Sequence, residues 1–95
     1  MHHDRVNIYP EIPRKGQEVS INYKGILFQN GADHIWLHYG FDDWKNVTDL
    51  QMQRQQDSFH CKIKAEGKKE LHFCFKDSAD HWDNNIGTNW NCPIK

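Results

Sequence analysis

His34-Ile35-Trp36-Leu37-His38-Tyr39 alternates Ile35, Leu37 and Tyr39 with His34, Trp36 and His38. Successive side chains of an extended chain leave on opposite sides, so this hexapeptide predicts a strand with two chemically different faces. The aliphatic face is expected to fill a core, which turns Trp36 and His38 outward. The same period recurs on either side. Val19, Ile21 and Tyr23 alternate with Ser20 and Asn22 and end at Lys24-Gly25, and a weaker strand is predicted over Val6 to Tyr9, before Pro10 and Pro13 interrupt any ladder. Towards the C-terminus, Leu50 and Met52 suggest a short strand, followed by Phe59, Cys61 and Ile63, a turn at Gly67, and Leu71, Phe73 and Phe75. Asp77 to Asn89 is rich in Asp, Asn, Ser and Gly and reads as a long structured loop before a final strand at Thr88 to Ile94. Helical periodicity is poor throughout. The pattern predicts an all-β chain, an immunoglobulin-like antiparallel β-sandwich of about six to eight short strands.

With 95 residues the chain is expected to form one domain over 1–95, its core spanning about 16–94 and residues 1–15 forming an N-terminal strand or arm. Only 37% of the residues are apolar, so the core must rest on a few well-placed side chains and leaves little room for a buried cleft. Twelve Lys and Arg against thirteen Asp and Glu give a net charge of -1 without long blocks of either sign. Nucleic acid is therefore not an expected partner, since it demands clustered positive charge. No apolar stretch is long enough to span a membrane, and the polar opening Met-His-His-Asp-Arg does not read as a secretory signal, so compartment stays open. Cys61, Cys74 and Cys92 are odd in number and lack a CxxC spacing, which argues against a disulfide framework.

Four Trp in a chain this short suggest a contact surface. Besides Trp36, Gly40-Phe41-Asp42-Asp43-Trp44 is a turn ending in a ring, and Trp82 stands in the polar loop among Asp80, His81, Asp83, Asn84 and Asn85. Rings set among amides and carboxylates suit a sugar, whose apolar C–H face stacks on an aromatic plane while its hydroxyl rim seeks hydrogen bonds. Against this, any single Trp is more often core, His38 by pattern alone is more often a structural histidine, and Asn84-Asn85 is most simply a turn. Asp42, Asp43, Asp80 and Asp83 could in principle act as glycosidase carboxylates, but nothing in the pattern would bury one to raise its pKa, and such loop aspartates are usually solvated. No catalytic residue is assigned. No metal or other cofactor is expected: His2 and His3 are a weak terminal signal, His34 and His38 lie roughly 13 Å apart along a strand, and His60 and His72, which might meet across neighbouring strands, lack a third ligand.

Three segments carry a resemblance: Ile35 to Gly40 leading to Trp44; Leu71-His72-Phe73-Cys74-Phe75-Lys76-Asp77; and Trp82-Asp83-Asn84-Asn85-Ile86-Gly87-Thr88-Asn89-Trp90. In them the chain resembles the starch-binding modules of carbohydrate-binding family 25 and the related family 53, and more distantly the glycogen-targeting modules of family 21. The resemblance covers about residues 16–94. It implies a non-catalytic sandwich that binds α-1,4-glucan in starch, glycogen or maltooligosaccharides, accompanied by an amylase or other glucan-active enzyme in the same chain or complex. It places the sugar-contacting histidine at His38 and the stacking rings at Trp44 and Trp82, with Asn84 and Asn85 as hydrogen-bond partners or loop formers and Trp36 as an additional contact. The family often has Tyr or Phe where Trp90 stands, which leaves open whether that ring packs inward or widens the platform. A module cut from an extracellular amylase would be secreted, and a stand-alone glycogen binder cytoplasmic. The competing reading is a protein–protein interaction sandwich using the same exposed rings.

Overall fold

The alternation at Ile35 to Tyr39 becomes the central strand β3 (Ile35–Phe41) of a computed structural model that describes residues 5–95, so His2 and His3 lie outside the described residues. Ile35 and Leu37 are fully buried, while Trp36 and His38 on the other side are half-exposed. β3 pairs antiparallel with β4 (Lys45–Gln51) on one edge and with β7 (Glu70–Asp77) on the other. The far edge of β7 is shared end to end by the two-residue strand β8 (Trp82–Asp83) and by β9 (Trp90–Pro93). The second sheet runs β1-β2-β6-β5, from β1 (Val6–Tyr9), β2 (Glu18–Tyr23), β6 (Phe59–Lys64) and β5 (Gln53–Arg54). Two antiparallel sheets thus face one another in an immunoglobulin-like sandwich, with nine short strands among the described residues.

The core lies between them. Val6, Val19, Ile21, Tyr23 and Phe59 from one sheet meet Ile35, Leu37, Leu71, Phe73 and Phe75 from the other, all at 1% exposure or less. Each such aliphatic or phenyl group contributes about 1.5–3 kcal/mol relative to leaving it in water. Trp90 joins them at 4% exposure, stacking on Phe73 with centroids 6.1 Å apart and meeting Phe75 edge-on at 5.3 Å. It packs inward and does not widen the outer platform. Its indole Nε1 has no hydrogen-bond partner among the described residues. Cys61, Cys74 and Cys92 are buried free thiols.

The structure departs from the sequence expectation at one strand, at a helix and at a pair of histidines. The strand suggested by Leu50 and Met52 is the end of a longer β4 beginning at Lys45, followed by the separate β5. β4 is an edge strand with nearly every residue exposed, so no apolar alternation marks it. A one-turn helix, α1 (Ile26–Gln29), follows β2 and buries only Leu27. His60 and His72 do not approach across neighbouring strands, because β6 and β7 belong to different sheets. Instead His60 pairs with Asn22 at 3.1 Å, and His72 with Asn91 at 2.6 Å. Among the described residues, no three His, Cys, Asp or Glu side chains are grouped to hold a metal ion.

Candidate functional site

Cross-strand register builds the outer face of the β3–β7 sheet in rows, because residues directly opposite in antiparallel strands share a face. Gln51, Trp36, Lys76 and Trp82 form one row, Asp49, His38 and Cys74 the next, and Gly40, His72 and Asn91 a third. The third row is covered by Trp44. The turn Asp42-Asp43-Trp44 carries three successive residues with φ of 47°, 66° and 64°, which folds the Trp44 ring back over the strand onto His72, with centroids 5.6 Å apart and planes 26° from parallel. Gly40 makes the fold-back possible, since a Cβ there would stand 3.0 Å from the Trp44 Cα.

Asp42 fixes the turn. Its carboxylate accepts the backbone N–H groups of Lys68, Lys69 and Glu70 at 2.8, 2.8 and 3.1 Å, and these bonds lower its pKa to about 2. Asp42 is thus a staple between two turns and not simply a solvated loop residue. His72 accepts the Asp43 N–H at its Nε2, which puts its proton on Nδ1 facing the side-chain Oδ1 of Asn91.

His38 stands between the two exposed indoles. Its ring lies 5.7 Å from Trp44, tilted by 33°, and 5.1 Å from Trp82, near-perpendicular at 88°. The indoles are therefore steeply inclined to one another and form the walls of a cradle with His38 at its base. Asp49, opposite His38 on β4, accepts a hydrogen bond from Nδ1 at 2.5 Å, which leaves Nε2 as the ring's acceptor. The cradle is a concavity of about 340 Å³ lined by His38, Trp44, Val47, Cys74, Trp82, Asn84 and Asn89. Burial, followed by the nearby Asp49 and Asp83 charges, pushes the Cys74 thiol up to about 11, so its floor is an un-ionised thiol at neutral pH.

Trp82 is held by its neighbours on both sides in sequence. The buried Tyr23 hydroxyl donates to Asp83 Oδ2 at 2.6 Å and accepts the Leu27 N–H at 3.2 Å, tying β8 to α1 across the end of the sandwich. On the other side, Asp77 accepts N–H bonds from Ala79 and His81, at 2.9 and 2.8 Å, and one from the His81 ring at 2.9 Å. Beyond Asp83, Asn84 Oδ1 accepts the Gly87 N–H while Asn85, at φ 55°, donates its amide to the Asn89 carbonyl.

The structure thus brings His38, Trp44, Trp82 and Asn84 to one concavity. Asn85 is turned into closing its own loop. Trp36 lies outside the concavity, in the row of Trp82 but two strands away from it, with the Lys76 ammonium 4.9 Å from its ring centre and 5.8 Å from that of Trp82. Sequence reading did not single out Asn89, Val47 or Cys74. Cys74 could be found only by knowing that β7 pairs with β3 in the observed register, and Val47 only by recognising β4.

Residues 19–73 match the family described as starch/carbohydrate-binding module (family 53). The match includes His38 and Trp44 and ends before Trp82, Asn84 and Asn85. An α-amylase of Clostridium acetobutylicum is 30% identical over 95 residues, which is 96% of this chain and 12% of the amylase. The chain therefore spans about an eighth of that relative's length. No solved structure matches.

Proposed function

The chain belongs to the starch/carbohydrate-binding modules of family 53, and from that premise we propose that it holds an α-1,4-glucan chain in the cradle formed by His38, Trp44 and Trp82. The family is non-catalytic and binds starch. The observation that supports this location is the pair of inclined indoles flanking one histidine. Inclined rings stack on successive sugars of a chain that curves, whereas coplanar rings suit a flat one. Nε2 of His38 and the amides of Asn84 and Asn89 supply hydrogen bonds to the hydroxyl rim. Trp36 and Asn85 take supporting roles, Trp36 through the Lys76 ammonium that it shares with Trp82 and Asn85 by shaping the loop.

The open form of the cradle limits the sugar area it can cover, so affinity is expected to be weak to moderate. Its natural setting is alongside an amylase or another glucan-active enzyme, which the module keeps on its polymer. The carboxylates near the cradle are committed to structure: Asp49 to His38, Asp83 to Tyr23 and Asp42 to the 68–70 backbone.

Titration of ¹⁵N-labelled protein with maltoheptaose tests the location. The indole signals of Trp44 and Trp82 and the amides of Asn84 and Asn89 are expected to shift together. Shifts confined to the opposite β1-β2-β6-β5 sheet would refute it.

A further inference from the structure

Trp82 borders a second hollow. It lies between α1 with the loop that follows it and the 77–81 turn, measures about 500 Å³, and is lined in part by Ile26, Asn30, Asp33, Ser78 and Ala79. Trp82 is the one residue that it has in common with the cradle of about 340 Å³. We propose that this hollow is a second α-glucan subsite, so that a chain held between Trp44 and Trp82 continues past Trp82 into the space beside α1. The inference rests on the starch-binding reading of the cradle and extends it.

Four observations carry it. The lining combines apolar and polar groups in the way a sugar requires: Ile26 is 47% exposed and Trp82 46%, and beside them no hydrogen bond among the described residues engages the side chains of Asn30, Asp33 or Ser78. Both walls are fixed before any ligand arrives. Asp77 clamps the 77–81 turn through three hydrogen bonds, and Leu27 anchors α1 to the Tyr23 hydroxyl that also holds Asp83. Preformed walls reduce the ordering that binding would otherwise have to offset. Both hollows are bordered by Trp82, the ring to which the cradle reading gives sugar stacking. Among the other hollows, the one of about 430 Å³ beside Leu50 and His60 has no Tyr, Phe or Trp, the one around Asp42 and Glu70 is walled by charged side chains, and the one of about 330 Å³ has the rings of Tyr39 and Phe41 but shares no residue with the cradle.

A second subsite makes affinity depend on chain length in a particular way. Maltotriose fits within the cradle, whereas maltoheptaose is long enough to enter both hollows. The test is calorimetric titration of both sugars into the wild type, into Ile26→Ser/Asn30→Ala and, independently, into Asp33→Ala/Ser78→Ala. All four side chains lie towards solvent, and a thermal melt checks that each variant folds. The wild type is expected to bind maltoheptaose roughly tenfold more tightly than maltotriose, and both variants to keep the maltotriose affinity while losing most of that gain. A wild type without the gain, or variants that retain it in full, would overturn the second subsite and leave the cradle standing. A wild type that binds neither sugar would overturn the cradle as well.

Discussion

At the scale of single residues, what decides a ring's role is whether the backbone turns it towards the core or towards the outer face of the sheet. Trp44, Trp82 and Trp90 are chemically alike, yet Trp90 enters the core opposite Phe73 while the other two stand at the cradle. Trp90→Phe removes part of a packed ring but also removes a buried N–H without a partner, whose desolvation costs about 1–3 kcal/mol. The two effects oppose, so stability should change by no more than about 1 kcal/mol, and starch affinity should stay at the wild-type value; denaturant melts and an affinity gel read both. Asp42 gives a pH signature. Its folded pKa is depressed from 3.8 to about 2, because the backbone N–H of Lys68, then those of Glu70 and Lys69, bond its charged form. Depression means that the carboxylate's contribution is complete above the unfolded value of 3.8 and is lost as pH falls towards 2. Melting temperature should therefore drop on acidification through that window, and Asp42→Asn should be less stable at pH 6 and show a shallower drop. Some slope should remain, since His81 and Ala79 outweigh desolvation to lower the Asp77 pKa as well.

At the scale of elements, the turn from β3 into β4 is the most demanding local structure in the site. It reverses the chain over Asp42-Asp43-Trp44 with positive φ at each position, and Asn46 follows at 54°. Gly40→Ala would place a methyl 3.0 Å from the Trp44 Cα, 3.1 Å from its carbonyl carbon and 3.2 Å from the Lys45 oxygen. All three are backbone atoms, so the turn must shift. The expected outcome is a loss of about 1–2 kcal/mol in stability, together with a roughly tenfold weaker grip on maltoheptaose, measured by calorimetry. Elements with one buried face could be read in the sequence: Val19-Ile21-Tyr23, Ile35-Leu37 and Phe59-Cys61-Ile63 each alternate as their burial does. β4 could not, because an exposed edge strand has no apolar period, and β8 and α1 are too short to have one. On β7 the alternation of Leu71, Phe73 and Phe75 was visible, but the burial of His72 and Cys74 between them was not. For His72 that depends on Trp44 folding over the strand, a tertiary event without a local signature. For the same reason the sequence suggested which rings belong to the site and could not show that Trp36, in the same row as Trp82, stands outside the concavity.

At the scale of the whole molecule, one sandwich presents its cradle on the outer face of one sheet and braces it from the far end through Tyr23. That side chain stacks on Phe75 with centroids 4.0 Å apart and sends its hydroxyl to β8, so core packing and site geometry share an anchor. Burial, reinforced by the bond to Asp83, raises the phenol's pKa far above its ordinary value, so the hydroxyl remains a donor over the whole stable pH range. Tyr23→Phe leaves the Asp83 carboxylate and the Leu27 N–H without their partner and should destabilise by about 1–3 kcal/mol. Hydrogen exchange should accelerate at Leu27 and around Trp82 before it does in β2 or β6. Retention on starch-containing native gels reads whether the two inclined indoles beside His38 hold an α-glucan chain. Trp44→Ala and Trp82→Ala should each migrate unretarded while keeping the wild-type melting behaviour to within a few degrees; wild-type retardation of either folded variant would contradict the account.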